Sequence, residues 1–150
     1  MRRFLRSWLP VVLWAAVISG LSTSALGVGF TRQVVAAVVQ FFFPDISSAA
    51  IALVNTFLRK GAHVAGYFVL GFLLWRALRA DASARWHGGW AAGAFLLTVA
   101  FGGLDEFHQS FEPGRTGAVV DVGFDAAGAA LALLWVWWRA HASSPATRRE

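Results

Sequence analysis

No cysteine occurs anywhere in the chain. Disulfides, zinc–thiolate sites and cysteine nucleophiles are therefore excluded. Charge is also scarce: Asp, Glu, Lys and Arg make up 14% of the 150 residues, against about 25% in an average soluble domain. With 57% apolar residues and a mean hydropathy of +0.58, the chain does not read as an ordinary soluble enzyme. Disorder is excluded by the same numbers, because disordered segments are poor in apolar groups. Lysine is almost missing, with Lys60 alone beside the arginines, and Tyr67 is the single tyrosine. There is no internal repeat and no soluble domain. A formal charge of +5 on so apolar a chain points to the cytoplasmic edge of a membrane protein, not to nucleic acid.

What the chain has instead is long uncharged runs. None of Lys, Arg, Asp and Glu occurs from Ser7 to Thr31 or from Trp86 to Leu104, and such windows are long enough to cross a bilayer. Shorter runs cover Gly61 to Trp75 and Ala126 to Trp138. The expected fold class is an all-α membrane protein with four transmembrane helices, at about 7–26, 57–77, 88–108 and 117–138. Two further apolar stretches, Phe30–Phe43 and Ile46–Leu58, flank Pro44-Asp45. They are expected as short surface or re-entrant helices, the second running into span 2, because proline ends a helix at the residue before it. Residues 1–140 form one membrane domain on this reading, and residues 141–150 a disordered cytoplasmic tail. An alternative for span 1 is a cleaved signal peptide, with Arg2, Arg3 and Arg6 leading the apolar run and Ser22-Thr23-Ser24-Ala25 at its end.

Charge sets the expected orientation. Arg2, Arg3, Arg6, Arg76, Arg79, Arg85, Arg139, Arg148 and Arg149 fall on one side of the four spans. Arg32, Arg59, Lys60 and Arg115 fall on the other. The positive-inside rule places both termini in the cytoplasm. Trp8, Trp75, Trp86, Trp90, Trp135, Trp137 and Trp138 cluster near the same side, as an interfacial belt does. A helix rises about 1.5 Å per residue and the hydrocarbon core is about 30 Å thick. Counted from that belt, spans 2, 3 and 4 all carry ionisable groups at or below the outer boundary. The groups are Arg59, Lys60 and His63 on span 2, Asp105 and Glu106 on span 3, and Asp121 and Asp125 on span 4. Facing lipid there is costly, so they are expected to turn inward and pair. Helical phase agrees, because Lys60, His63 and Tyr67 form one stripe, Asp105 and Gln109 another, and Asp121, Asp125 and Gly128 a third. Gly128 lets a neighbouring helix approach closely. Pro113-Gly114 is a turn signal able to swing Arg115 back over the site.

The segment Arg59-Lys60-Gly61-Ala62-His63-Val64-Ala65-Gly66-Tyr67 resembles the RK-x-x-H-x-x-x-Y motif of the VanZ-like family. Asp105-Glu106-Phe107-His108-Gln109-Ser110-Phe111, with Pro113 and Arg115, is similar to its DE-x-x-Q-x-F-x-P-x-R motif, and Asp121 with Gly128 to its closing D-x-x-x-N-x-x-G motif. One departure is Asp125, which stands where the family pattern has Asn. The resemblance implies a small integral protein of the bacterial cytoplasmic membrane. The family is named for a protein linked to low-level teicoplanin resistance. An arginine-rich, lysine-poor composition fits a GC-rich bacterial genome.

The candidate polar site is thus Lys60, His63, Tyr67, Asp105, Glu106, Gln109, Arg115, Asp121 and Asp125. Three functions and one structural reading are open. The first is binding, or acting on, an anionic membrane lipid or lipid-linked cell-wall component, with Lys60 and Arg115 on phosphate and the acids, Tyr67 and Gln109 on hydroxyls or amines. The second is phosphoryl or glycosyl transfer by carboxylates of unequal acidity beside a histidine. No cofactor is assigned. Mg²⁺ is the one considered, on Asp121 and Asp125 facing Asp105 and Glu106. The third is a proton-coupled transporter subunit, which four helices would perform as a homo-oligomer. The structural reading is that the charges only fix helix register. His87, His108 and His141 carry weaker cases, and Phe107, Phe111 and Phe41–Phe43 are expected to pack or face lipid.

Overall fold

The structure is a computed structural model of the chain. It describes residues 2–22, 28–80, 82–84, 86–111 and 119–142, apart from the side chains of Arg2, Arg3 and Val28. Five helices follow in order: α1 (Arg2–Leu21), α2 (Val28–Phe42), α3 (Ser48–Arg79), α4 (Gly88–Gln109) and α5 (Val119–Ala142). No strand occurs among the described residues. The proposed cleavage segment after Ser22, the Pro113-Gly114 turn, Arg85, Arg115 and the tail beyond Ala142 lie outside the described residues.

The helix ends follow local chemistry. Pro44-Asp45 interrupts the apolar run between α2 and α3, and the Ser47 side chain then caps α3 by accepting from the Ala50 amide at 3.2 Å. The stretch at Ile46–Leu58 is continuous with span 2, so α3 runs unbroken for 32 residues. Inside α1, Pro10 has no amide hydrogen to give the carbonyl four residues earlier, that of Arg6. Arg76 Nη2 takes that carbonyl from α3, donating to it at 3.3 Å.

Three helices, not the expected four, are long and apolar enough to cross a membrane: α1 from Phe4, α3 and α5. The exception is α4. Its 22 residues give about 33 Å of length. Its composition falls short, because Gly88, Gly89, Gly93, Gly102 and Gly103 replace apolar side chains and Asp105 enters at its far end. The first helix also starts at Arg2 and not Ser7, and ends at Leu21.

Contacts between helices give their directions. On α3 and α5, Lys60 meets Asp121, His63 meets Asp125, and Gly71 faces Ala129, so these two helices run parallel. On α4, Gly93 faces Leu78 and Gly102 faces Tyr67, so α4 runs antiparallel to α3. Trp14 of α1 donates to the Gly66 carbonyl at 2.8 Å while Arg6 meets Arg76, which makes α1 antiparallel as well. The central element is α3, which touches all four other helices.

The bundle is inverted relative to a soluble one. Buried positions include Asn55, Asp105, Glu106, Gln109 and Asp125. Large apolar side chains such as Phe4, Leu13, Leu104 and Val119 point outward. A lipid solvent favours this distribution and water does not. At the end holding Arg76 and Arg139, the core is apolar, built from Leu70, Leu74, Trp75, Ala94, Leu133 and Val136.

Candidate functional site

The polar layer forms where the stripes of α3 and α5 meet. Lys60 Nζ lies 3.0 Å from Asp121 Oδ1 and sits over the Phe124 ring at 4.2 Å from its centroid. One turn deeper, His63 Nδ1 lies 3.0 Å from Asp125 Oδ1. The Tyr67 ring lies beneath that of His63, nearly parallel, with centroids 6.3 Å apart. Two glycines allow this approach. A Cβ on Gly128 would collide with the Val64 carbonyl oxygen and lie 2.9 Å from the Phe68 amide nitrogen, so α5 presses on the α3 backbone there. A Cβ on Gly102 would lie 2.8 Å from Asp125 Oδ2 and 3.3 Å from Tyr67 Cε1.

The third wall comes from α4, with Asp105, Glu106 and Gln109 all buried. Asp105 Oδ2 accepts two hydrogen bonds, from Gln109 Nε2 at 2.8 Å and from Ser22 Oγ at 2.7 Å. The Ser22 bond ties the residue just after α1 to α4 across 83 positions of sequence. His63, Glu106 and Asp125 each offer a ligand atom, and these atoms lie within 4.8 Å of one another. Asp125 is fully buried and Tyr67 is 1% exposed, yet Asp125 Oδ2 and the Tyr67 hydroxyl make no hydrogen bond within the protein.

The structure therefore brings together Lys60, His63, Tyr67, Asp105, Glu106, Gln109, Asp121 and Asp125. Arg115 lies outside the described residues. His108 is exposed, and so are Phe107 and Phe111, whose rings meet edge to face. His87 caps α4, accepting from the Gly89 amide. Sequence reasoning missed Ser22, Trp14, Asn55 and Gly102. A polar residue inside an apolar run is the one signal that marked Asn55, which is buried on α3.

Beside this layer a cavity of about 590 Å³ opens between α1, α2 and α3. Its walls are largely apolar, including Trp14, Ile18 and Phe30, and its lining also holds His63, Tyr67 and Arg59. Among the described residues Arg59 has no acidic partner within salt-bridge distance.

A family model described as VanZ/LLP1 matches residues 7–140. The chain belongs to the VanZ-like family. No curated protein and no solved structure matches it. In this VanZ-like chain the match runs from α1 through α5, so Trp14 of α1 and Ser22 just after it are part of the family domain.

Proposed function

We propose that this VanZ-like protein holds an anionic, lipid-linked component of the bacterial envelope. Its hydrocarbon lies in the cavity between α1, α2 and α3, its anionic group on Arg59, and its hydroxyl or amine groups at His63 and Tyr67. The carrying observation is the cavity itself, whose lining passes from apolar walls to Arg59, His63 and Tyr67. Its volume falls in the range of small-molecule sites, about 300–1,000 Å³. The acids on α4 and α5 repel an anion, so the anionic group belongs beside Arg59. The carboxylates suit donors such as hydroxyls and amines.

On this reading α1, α3 and α5 cross the cytoplasmic membrane, and α4 lies against them. Because α3 and α5 run parallel, α4 carries the chain back between them. The end with Arg6, Arg76, Arg79 and Arg139 faces the cytoplasm by the positive-inside rule. The site then opens to the outer half of the bilayer, where wall precursors linked to lipid are displayed. Protection against teicoplanin-type drugs would act through that ligand.

Native mass spectrometry of the purified chain tests the reading. Wild type is expected to retain an anionic lipid. Arg59→Ala, and Ala65→Trp on the cavity wall, are expected to lose it by about tenfold or more, the cost of one charge-assisted contact. Equal retention by all three proteins would overturn the proposal.

A further inference from the structure

We propose that His63, Glu106 and Asp125 form a binding site for a divalent transition-metal ion of the Mn²⁺ or Zn²⁺ class. The inference goes beyond the lipid reading and does not depend on it. Each of three helices supplies one ligand atom: α3 an imidazole nitrogen, α4 and α5 one carboxylate oxygen each. Metal sites in helical bundles are built in this way, from side chains projecting inward on facing helices.

The distances suit an ion. His63 Nδ1 and Asp125 Oδ1 are 3.0 Å apart. Two ligands at right angles on a metal, each about 2.1 Å from it, are separated by about 3.0 Å. One ligand atom on Glu106 lies within 4.8 Å of one on His63 and one on Asp125, against about 4.2 Å for opposite ligands on such an ion.

The second observation is the pair of buried polar atoms beside the cluster. Asp125 Oδ2 and the Tyr67 hydroxyl lie out of solvent with no hydrogen-bond partner in the protein. A buried oxygen in that state calls for an ion or a water. A cation between His63, Glu106 and Asp125 meets that need when the Asp125 carboxylate binds it through both oxygens, Oδ1 and Oδ2.

Asp121 is bound to Lys60, and Asp105 accepts from Ser22 and Gln109. The ligand atoms that lie together are those of His63, Glu106 and Asp125, not those of the Asp121–Asp125 pair considered for Mg²⁺ from its spacing. An imidazole ligand turns the preference from Mg²⁺ toward Mn²⁺ and Zn²⁺. Three protein ligands leave coordination positions open. His63 and Tyr67 also line the cavity, which gives those positions a route outward.

The test uses the full chain in detergent, stripped with a chelator, with Mn²⁺ added and the free ion followed by its paramagnetic resonance signal. One saturable equivalent is expected, displaced by Zn²⁺. His63→Ala is expected to weaken binding by about tenfold or more, the scale seen when a metal site loses a supporting group. Asp125→Asn and Glu106→Gln keep side-chain shape, and both are expected to weaken it too. Asp45→Asn, which removes an exposed acid far from the cluster, is expected to bind as wild type does. No saturable binding below millimolar Mn²⁺ or Zn²⁺ would overturn the proposal. So would binding that the three site variants leave unchanged. No envelope lipid enters this measurement, so its failure is separate from a failure of lipid retention.

Discussion

The two ends of the bundle use the same helices and different cohesion. At the arginine-rich end, Leu70, Leu74, Trp75, Leu133 and Val136 fill the space between α3 and α5. At the other end that space holds His63, Asp125, Lys60 and Asp121. In a bilayer the apolar end gains nothing from leaving water, because lipid tails are as apolar as leucine. Its cohesion is close packing, which fixes distance but tolerates sliding. The polar end is directional. Each hydrogen bond there names one partner atom, so it fixes the register of α3, α4 and α5. The difference shows why the candidate site lies at one end only: register can be set once, and the set groups become available for chemistry.

The sharpest break in this comparison is at the boundary between the two ends. Gly128→Leu must displace the α3 backbone at Val64 and Phe68, which cannot rotate away. It is expected to cost at least about 3 kcal/mol, read as loss of folded protein in a detergent-stability assay. Gly103→Ala, where nothing lies within 4 Å, is expected to be close to neutral.

Within the apolar end, Leu70→Ala removes a side chain that is 1% exposed. A loss of about 3 kcal/mol is expected, since the packed helices cannot fully collapse into the gap. The same unfolding assay checks it. Site geometry is expected to survive, seen as unchanged Mn²⁺ affinity.

The polar end gives smaller losses in stability and larger losses in geometry. Ser22→Ala takes one of two donors from Asp105 Oδ2. About 1.5 kcal/mol is expected, the low end for a charged acceptor, since such bonds run weaker in membrane proteins. Thermal unfolding of the purified variant measures it, and a change under a few tenths would show that α1 does not hold α4.

The smallest effect belongs to Lys60 and Asp121, whose side chains are 35% and 28% exposed. A double-mutant cycle with Lys60→Met and Asp121→Asn is expected to give a coupling of about 0.5 kcal/mol. A coupling several times larger would move this pair from the rim of the layer to its buried part.

Periodicity explains what was legible in the sequence. Lys60, His63 and Tyr67 recur at helical spacing, and so do Asp121, Asp125 and Gly128, so each stripe could be read from one segment. Gly128 also announced a close approach, and Val64 is what it meets. Ser22 was not legible as a partner of Asp105. A single hydroxyl has no period, and its partner lies 83 positions away. Gly102 was hidden for a related reason: its value is the absence of a Cβ beside Asp125, visible only once three helices are assembled. The number of apolar helices was overcounted because an uncharged run was equated with an apolar one. In α4 the charges are few, but glycine takes the place of larger apolar groups.

The length of α3 has one more consequence. Its 32 residues extend about 48 Å, and a hydrocarbon core is about 30 Å thick. No ordinary tilt, about 20° on average, hides that excess. Three turns at its start, carrying exposed Leu53, Phe57 and Leu58, must therefore lie beyond the core or force the bilayer to thicken around them. The depth of Lys60 and His63 below the headgroups is then set by the membrane as much as by the protein. A thinner bilayer brings the layer to water, and a thicker one seals it, so lipid chain length becomes a control on who can reach it.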